Sequence, residues 1–187
     1  MSASLPSTII FDLDDCLWSP EMYTLRSIPS KPVKGPLGAH GEGVIGMKCS
    51  SGETVKLFPA ALKILQRIAS NEFENVTFGV ASSSEEPSYS RACLQGLEIL
   101  PGVKMDSLFP IQAIGRTGGL TSRKTTHFSS LKKQHPSMVF TDTLFFDDCN
   151  WGDHVGDLNN ALGVKGVRTP NGLTEEEFET GLSMFKN

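Results

Sequence analysis

The sequence feature that most constrains the fold is the apolar run at residues 9–11 (Ile-Ile-Phe), which leads directly into Asp12 and Asp14. A short, uninterrupted run of β-branched and aromatic residues is typical of a strand that is buried on both faces of a parallel sheet. Side chains alternate along a strand, so we expect Asp12 and Asp14 on the same side where this strand ends. Ligands of open α/β sheets bind at that edge, and two acids there repel each other unless a cation or a shared proton lies between them. An isolated Asp-x-Asp pair is often only a solvated turn, so its meaning depends on partners elsewhere in the chain.

Two further apolar runs, at residues 76–81 and 143–146, also end in polar side chains: Ser82 and Ser83 after the first, Asp147 and Asp148 after the second. If these strands are parallel neighbours of the first, their terminal side chains collect at one rim of the sheet. Lys124 begins a predicted helix between the second and third of these strands, within reach of the same rim.

Helical spacing of apolar residues alternates with the strand patterns along the chain. It predicts helices over residues 59–68, 87–97, 121–135, 155–162 and 173–185, with further strands at 108–114 and 164–167. Thr121 or Ser122 is the expected N-cap of the third helix, and Thr174 with Glu177 forms a capping box for the last. Alternating strands and helices predict an α/β fold with a doubly wound parallel sheet, in a single domain over residues 1–187.

Residues 19–57 form a long segment rich in Gly, Pro, Ser and Lys, which we predict to be a small flap, or cap, inserted after the first strand. Residues 44–47 and 54–57 are expected to pair as a hairpin within it. Because the segment holds few large apolar residues, we expect it to be more mobile than the core. The pattern G-x-G-x-x-G at residues 41–46 has no preceding strand and no following helix, so its glycines are expected to shape the flap rather than bind a dinucleotide.

Composition excludes several classes of function. The net charge of the 187 residues is −4, with no dense basic run beyond Lys132 and Lys133, so neither nucleic acid nor a membrane is an expected partner. Residues 1–7 lack a basic segment followed by a long apolar stretch, so we expect no signal peptide, and no apolar run approaches the about 20 residues that span a membrane. The four cysteines are scattered without C-x-x-C spacing, which indicates a reduced, cytoplasmic protein. We expect a monomer.

The predicted rim carries the groups that hydrolysis of a phosphate monoester requires. The substrate is a dianion, and Mg²⁺ bound by oxygen ligands screens its repulsion of a carboxylate nucleophile. A lysine and a hydroxyl can hold the remaining phosphoryl oxygens. A phosphorylated small molecule or a phosphoprotein is therefore the expected partner.

This ordered set resembles the haloacid dehalogenase (HAD) superfamily of phosphatases, and more closely the magnesium-dependent phosphatase type one family. The motifs that carry the resemblance are Asp12-Leu13-Asp14 with Leu17-Trp18, Leu57-Phe58-Pro59, Ala81-Ser82, Lys124 to Phe128, Met138-Val139-Phe140, Phe146-Asp147-Asp148 and Asn171-Gly172. The resemblance spans nearly the whole chain. It departs at Cys16, where Thr or Val is usual, and at Ser83, where the close family often has Arg.

The resemblance implies a role for each motif residue. Asp12 would be the nucleophile and Asp14 the general acid and base, while Mg²⁺ would bind the Asp12 carboxylate, the Asp14 backbone carbonyl and Asp148. Asp147 would orient Lys124 or a metal-bound water. The phosphoryl group would bind Ser82, Ser83 and Lys124.

Alternatives remain at several positions. Asp153 and Asp157 fit another form of the metal motif, G-D-x-x-x-D, although Asp153 begins a helix instead of ending a strand. His127 and His154 are expected to lie on helix surfaces or in packing contacts. Cys16 and Cys149 are expected to be small buried residues, with a regulatory thiol pair as the alternative. A phospho-accepting receiver domain, or a catalytically silent binding protein on the same fold, is the competing function.

Overall fold

The computed structural model describes residues 5–149 and 151–186. In chain order, its strands are β1 (Thr8–Phe11), β2 (Trp18–Ser19), β3 (Pro29–Pro36), β4 (Glu42–Cys49), β5 (Thr54–Leu57), β6 (Thr77–Ser82), β7 (Glu98–Leu100), β8 (Val103–Lys104), β9 (Ile111–Ile114), β10 (Thr143–Asp147) and β11 (Lys165–Arg168). Its α-helices are α1 (Pro59–Ala69), α2 (Pro87–Gly96), α3 (Lys124–Gln134), α4 (His154–Leu162) and α5 (Glu175–Ser183). Short 3-10 helices cover Met22–Thr24, Gly38–His40, Met105–Leu108 and Phe140–Asp142.

The central sheet has five parallel strands in the order β11-β10-β1-β6-β9, so the first strand of the chain lies in the middle. Phe11 pairs with Phe146 on one side and with Val80 on the other. All four β1 side chains are fully buried, as the apolar run predicted. The prediction of a parallel sheet in an α/β fold is therefore confirmed.

Helices cover both faces of the central sheet. Ile9 and Phe11 belong to an apolar cluster that includes the buried residues of α1, α2 and α5. Ile10, one position out of phase, belongs to a second cluster with Phe128 of α3 and Leu158 of α4. The alternation of side chains along β1 thus places consecutive residues in two separate cores, which confirms the doubly wound arrangement.

Four antiparallel strands in the order β2-β5-β4-β3 form a second sheet, here called the inserted sheet, within the segment predicted to be a flap. The predicted hairpin is present, with Met47 paired with Val55. The segment buries more large apolar residues than expected, while its greater mobility stays a prediction. Val44, Met47 and Val55 are buried in the same apolar cluster as Phe11, so the inserted sheet shares a core with the central sheet.

The glycine pattern in this segment shapes the backbone, as expected. Gly41 has a φ of 97°, and a Cβ on Gly43 would lie 2.6 Å from Glu98 Oε2. That carboxylate accepts a hydrogen bond from the backbone N–H of Val44, so a larger residue at position 43 would displace it.

Several element boundaries differ from the predicted ones, and the largest differences are at the starts of α3 and β9. α3 begins at Lys124, and neither Thr121 nor Ser122 caps it, because Thr121 Oγ1 instead accepts the N–H of Arg123 in a local turn. β9 begins only at Ile111, because the residues before Pro110 form a 3-10 turn. The capping box of Thr174 and Glu177 is confirmed at the start of α5.

Candidate active site

The carboxyl edge of the central sheet brings together side chains from three neighbouring strands. Asp12 directly follows β1, Ser82 is the last residue of β6 and Asp147 is the last residue of β10. The backbone N–H of Asp12 donates to the carbonyl of Phe146 at 2.8 Å, so the β1–β10 ladder continues to the first carboxylate. The edge therefore positions these groups through sheet register.

Lys124, the first residue of α3, connects the groups at this edge. Its ammonium Nζ lies 2.7 Å from the carbonyl oxygen of Ala81, 2.8 Å from Asp12 Oδ1 and 3.2 Å from Asp147 Oδ2. The Lys124 side chain is only 1% exposed. Lys124 thus donates to the Ala81 carbonyl and forms ion pairs with the carboxylates at the ends of two adjacent strands.

The charged groups of this network shift one another's pKa values. Burial lowers the pKa of the Lys124 ammonium, but Asp12 and Asp147 outweigh it and hold that pKa above its ordinary value. Burial likewise raises the pKa of Asp147, yet Lys124 and His154 bring it down to about 2. Burial raises the pKa of Asp12, with Lys124 acting in the opposite direction.

Asp148 adds a third carboxylate next to this pair. Carboxylate oxygens of Asp12, Asp147 and Asp148 lie within 4.8 Å of one another. Burial, followed by the charges of Asp12 and Asp147, raises the pKa of Asp148 to about 8. Three carboxylates face one lysine, so the cluster has excess negative charge and only oxygen donors, a set that suits a hard divalent cation such as Mg²⁺.

Asp14 has a different environment from Asp12. Its Oδ1 accepts a hydrogen bond of 2.8 Å from Trp18 Nε1, and its Oδ2 accepts one of 3.1 Å from the backbone N–H of Met22. Burial raises the pKa of Asp14 to about 7, against the effect of these two bonds. The structure places the Asp14 carboxylate outside the cluster of three, where a carboxyl group that gains and loses a proton near neutral pH is available.

A cavity of about 210 Å³ opens onto the edge. It is lined by Asp12, Asp14, Glu21, Tyr23, Ser82, Ser83, Ser84, Glu85, Arg116, Asp148, Cys149, Trp151 and His154. Asp12, Asp14, Ser82, Ser83 and Asp148 of the predicted site therefore share one cavity, while Lys124 and Asp147 are buried beside Asp12.

Both histidines have roles in the site that the sequence analysis missed. His154 is buried, lines the cavity, and its Nδ1 lies 3.2 Å from each carboxylate oxygen of Asp147. His127 Nε2 lies 3.1 Å from the carbonyl oxygen of Ser82 and 3.0 Å from that of Gly115. Both histidines are buried, so they occupy packing contacts rather than helix surfaces, the two environments that were expected. His127 joins the ends of β6 and β9, and His154 orients the carboxylate that holds Lys124.

Arg116 is a second residue that the sequence analysis missed. Its Nε donates to the carbonyl of Ser83 at 2.8 Å, and its Nη1 donates to Glu85 Oε1 at 2.7 Å. It follows β9, whose carboxyl end lies at the same edge, so the predicted strand at residues 108–114 was the available signal. Arg116 is the one lysine or arginine among the described residues that line the cavity.

The alternative metal residues lie elsewhere. Asp153 is the N-cap of α4, and its Oδ1 accepts the N–H of Gly156 at 3.0 Å. Asp153 and Asp157 are exposed, and neither belongs to a cluster of possible metal ligands in the described parts of the chain. This arrangement favours Asp148 over both.

Cys16 and Cys149 are buried free thiols. Thr169 Oγ1 donates to Cys16 Sγ at 3.4 Å, and burial raises the pKa of both thiols. A thiol with a raised pKa is a poor nucleophile, so their environment favours the interpretation as small buried residues over a reactive pair.

Comparisons with known proteins agree with this geometry. A family model described as Acid Phosphatase matches residues 4–187. The fold is similar to the crystal structure of CbbY from Rhodobacter sphaeroides in complex with phosphate, with a TM-score of 0.51 and 14% identity, covering 93% of this chain and 90% of that one. None of the curated proteins matches the chain. No helix in the described part of the chain is long and apolar enough to cross a membrane.

The matched residues include every strand and helix that positions the carboxylate cluster, Lys124 and Ser82. The chain therefore belongs to the acid phosphatase family, within the HAD superfamily, and is a phosphatase.

Proposed function

We propose that this phosphatase is a Mg²⁺-dependent phosphomonoesterase that works through an aspartyl phosphate on Asp12. The observation that carries the proposal is the placement of the Asp12 carboxylate. Lys124 Nζ holds one oxygen at 2.8 Å, Asp148 lies close by, and the cavity with Ser82 and Ser83 opens in front. A buried, oriented carboxylate beside phosphoryl-binding groups is the arrangement that nucleophilic catalysis needs.

The donor set fits a metal ion, which would bind the carboxylates of Asp12 and Asp148 and the backbone carbonyl of Asp14. When bound, Mg²⁺ supplies positive charge that screens the repulsion between the substrate dianion and these acids. Asp147 would remain with Lys124 and His154, since its pKa of about 2 keeps it ionised as their partner.

The reaction then proceeds in two steps on the chain's own residues. An Asp12 oxygen forms a bond to phosphorus while the ester P–O bond breaks, and Asp14 gives its proton to the leaving oxygen. Water next attacks the phosphorus of the aspartyl phosphate, Asp14 takes a proton from that water, and inorganic phosphate leaves as the Asp12 carboxylate is regenerated. A carboxyl with a pKa of about 7 can serve both steps.

The substrate is proposed to be a small phosphorylated metabolite, such as a sugar phosphate, or a phosphotyrosine-type phosphoprotein. The cavity lining includes Tyr23 and Trp151, which are 64% and 68% exposed, so a substrate can reach them from solvent. Five acids line the cavity (Asp12, Asp14, Glu21, Glu85 and Asp148), so we infer that Arg116 contributes the cation that faces the substrate. A monomer in the cytoplasm remains the proposed state and location.

Rapid quenching of the enzyme with a ³²P-labelled phosphate ester tests this proposal. In the presence of Mg²⁺ the protein should retain label that hydroxylamine releases, and Asp12→Asn should retain none. Asp157→Asn, an exposed carboxylate on α4, is the matched control and should behave as wild type. Full turnover by Asp12→Asn, or by wild type in excess chelator, would refute the mechanism.

A further inference from the structure

Next to the carboxylate cluster lies a second group of possible metal ligands with different chemistry. One atom each from Asp147, Cys149 and His154 lies within 4.8 Å of the other two, and all three residues are buried. The ligand atoms are a carboxylate oxygen, a thiol sulfur and an imidazole nitrogen. This combination differs in kind from the oxygen-only set formed by Asp12, Asp147 and Asp148.

Soft and borderline metal ions prefer sulfur and nitrogen ligands, whereas Mg²⁺ prefers oxygen. Zn²⁺ accepts Cys, His and Asp together and is commonly held by three protein ligands with water in a fourth position. A mixed O, S and N group of three is therefore a set that Zn²⁺ or Cd²⁺ can use and Mg²⁺ does not favour. Cys149 and His154 both line the open cavity, which gives an ion a route to the group.

We propose that Asp147, Cys149 and His154 form a binding site for a thiophilic divalent ion of the Zn²⁺ type, distinct from the Mg²⁺ cluster. On binding, the Cys149 thiol loses its proton to solvent and its sulfur, the Nδ1 of His154 and one oxygen of Asp147 become ligands. The site is inhibitory, because Asp147 is also a partner of Lys124, at 3.2 Å.

The inhibition follows from the shared carboxylate. In the structure, Asp147 accepts from Lys124, from the backbone N–H of Cys149 at 2.9 Å and from His154. An ion that binds Asp147 and His154 replaces the hydrogen bond between them and places two positive charges beside the Lys124 ammonium. The ion pair between Lys124 and Asp147 is then weakened. Because Lys124 also holds the Asp12 carboxylate, the orientation of Asp12 should change and activity should fall. The Trp151 ring packs edge-on against His154, with 5.0 Å between the ring centroids, and this contact holds the imidazole next to Asp147.

Cd²⁺ is the direct probe, because a Cd²⁺–thiolate bond gives an ultraviolet charge-transfer band that does not depend on enzyme activity. Titration of the full-length, folded protein in excess Mg²⁺ should show one such band that saturates at one ion per chain. Cys149→Ser should abolish the band. Cys16→Ser should keep it, because Cys16 lies with Thr169 outside the group, and Asp148→Asn should keep it as well.

The kinetic arm uses Zn²⁺ in a fixed saturating concentration of Mg²⁺. The rate of Cys149→Ser without Zn²⁺ is the reference for its own inhibition, and this variant should need at least about tenfold more Zn²⁺ for half-inhibition than the wild type. Cys149→Ala, checked for folding by circular dichroism, should give the same result if the serine variant is unstable. A thiolate band that survives both Cys149 variants, a band lost in Asp148→Asn, or unchanged Zn²⁺ inhibition would overturn the proposal. The band also separates this proposal from the proposed mechanism, since it is expected even in the inactive Asp12→Asn variant.

Discussion

The indole Nε1 of Trp18 donates a hydrogen bond of 2.8 Å to Asp14 Oδ1, and it thereby fixes a carboxyl group whose pKa lies near 7. Trp18 is fully buried at the start of the inserted sheet, where it pairs with Leu57. The proposed general acid is therefore held by the segment that follows β1, whereas the proposed nucleophile is held by the central sheet and α3. This division of support allows the two carboxylates to be tested separately.

Asp14→Asn should affect substrates according to their leaving groups. An alkoxide leaves poorly without a proton, so hydrolysis of an alkyl phosphate should fall by about 10²–10⁴-fold. A nitrophenolate leaves readily, so aryl phosphate should still phosphorylate Asp12, and the second step should become limiting. Stopped-flow mixing should show a burst of nitrophenol followed by slow turnover in this variant and no burst in Asp12→Asn. Equal losses on both substrates without a burst would indicate that Asp14 only supports the structure.

The pH dependence of kcat/KM should report the protonation of Asp14. The first step needs the protonated carboxyl, which is present below the pKa of about 7 and lost as pH rises through it. In saturating Mg²⁺, kcat/KM for an alkyl phosphate should therefore fall roughly tenfold per pH unit above that value. Trp18→Phe removes a hydrogen bond that lowers this pKa, so in this variant the fall of kcat/KM should begin at a higher pH. If the pH at which kcat/KM begins to fall were the same in Trp18→Phe as in wild type, the fall could not be assigned to the titration of Asp14.

The metal site predicts different effects for two aspartates that are close in sequence. Asp148→Asn should raise the Mg²⁺ concentration for half-maximal activity by at least about tenfold, since it removes a carboxylate from the cluster. Asp153→Asn should leave it unchanged, because Asp153 caps α4 and asparagine caps a helix about equally well. Activity measured across a Mg²⁺ titration decides the matter. The opposite ranking would move the metal to the start of α4.

Lys124→Met should abolish hydrolysis and also destabilise the fold. It leaves Asp12 and Asp147 buried without their shared cation, a change that typically costs about 3–5 kcal/mol. Urea unfolding in Mg²⁺-free buffer measures this loss. Lys63→Met is the matched control, because the Lys63 ion pair with Glu175 is exposed and such pairs contribute at most about 1 kcal/mol. Equal unfolding free energies for the two variants would contradict the central role given to Lys124.

Met47→Ala should lower the unfolding free energy by about 2–5 kcal/mol, because Met47 of the inserted sheet is buried in the core that Phe11 shares. Tyr23→Ala, in the same segment but with a largely exposed side chain, should change it by less than about 0.5 kcal/mol. Urea unfolding followed by tryptophan fluorescence and by circular dichroism should give coincident transitions for both. A separate early transition in Met47→Ala would mean that the inserted sheet unfolds by itself.

The parts of the fold that could be predicted are those with a local cause. The apolar run before Asp12 specifies a strand buried on both faces, and the Thr174–Glu177 capping box marks a helix start. β3 was missed because Pro29, Pro32 and Pro36 argue against a strand. These prolines are tolerated because β3 is an edge strand of the inserted sheet, and no neighbouring strand on its outer side requires an N–H donor.

The sequence predicts those residues of the candidate site that lie at the carboxyl ends of strands. Asp12, Ser82 and Asp147 do so, and the sheet brings them together. His154 and Arg116 were missed because their importance arises from tertiary contacts: one faces Asp147 from the start of α4, and the other folds back onto Ser83 from the loop after β9. The predicted strand at residues 108–114 indicates only that Arg116 lies near the edge of the sheet, and no spacing rule in the sequence predicts either side-chain contact.

The central position of β1 also constrains how the protein is made. Ser7 and Asp142 are hydrogen-bonded although 135 residues separate them, and β1 lies between β6 and β10. On the ribosome, the strand that leads into Asp12 emerges before both of its neighbours, and β10 is translated long after β6. One edge of β1 therefore stays without its partner until β10 has been translated, and the carboxylate cluster is complete only after Asp148 has been added to the chain.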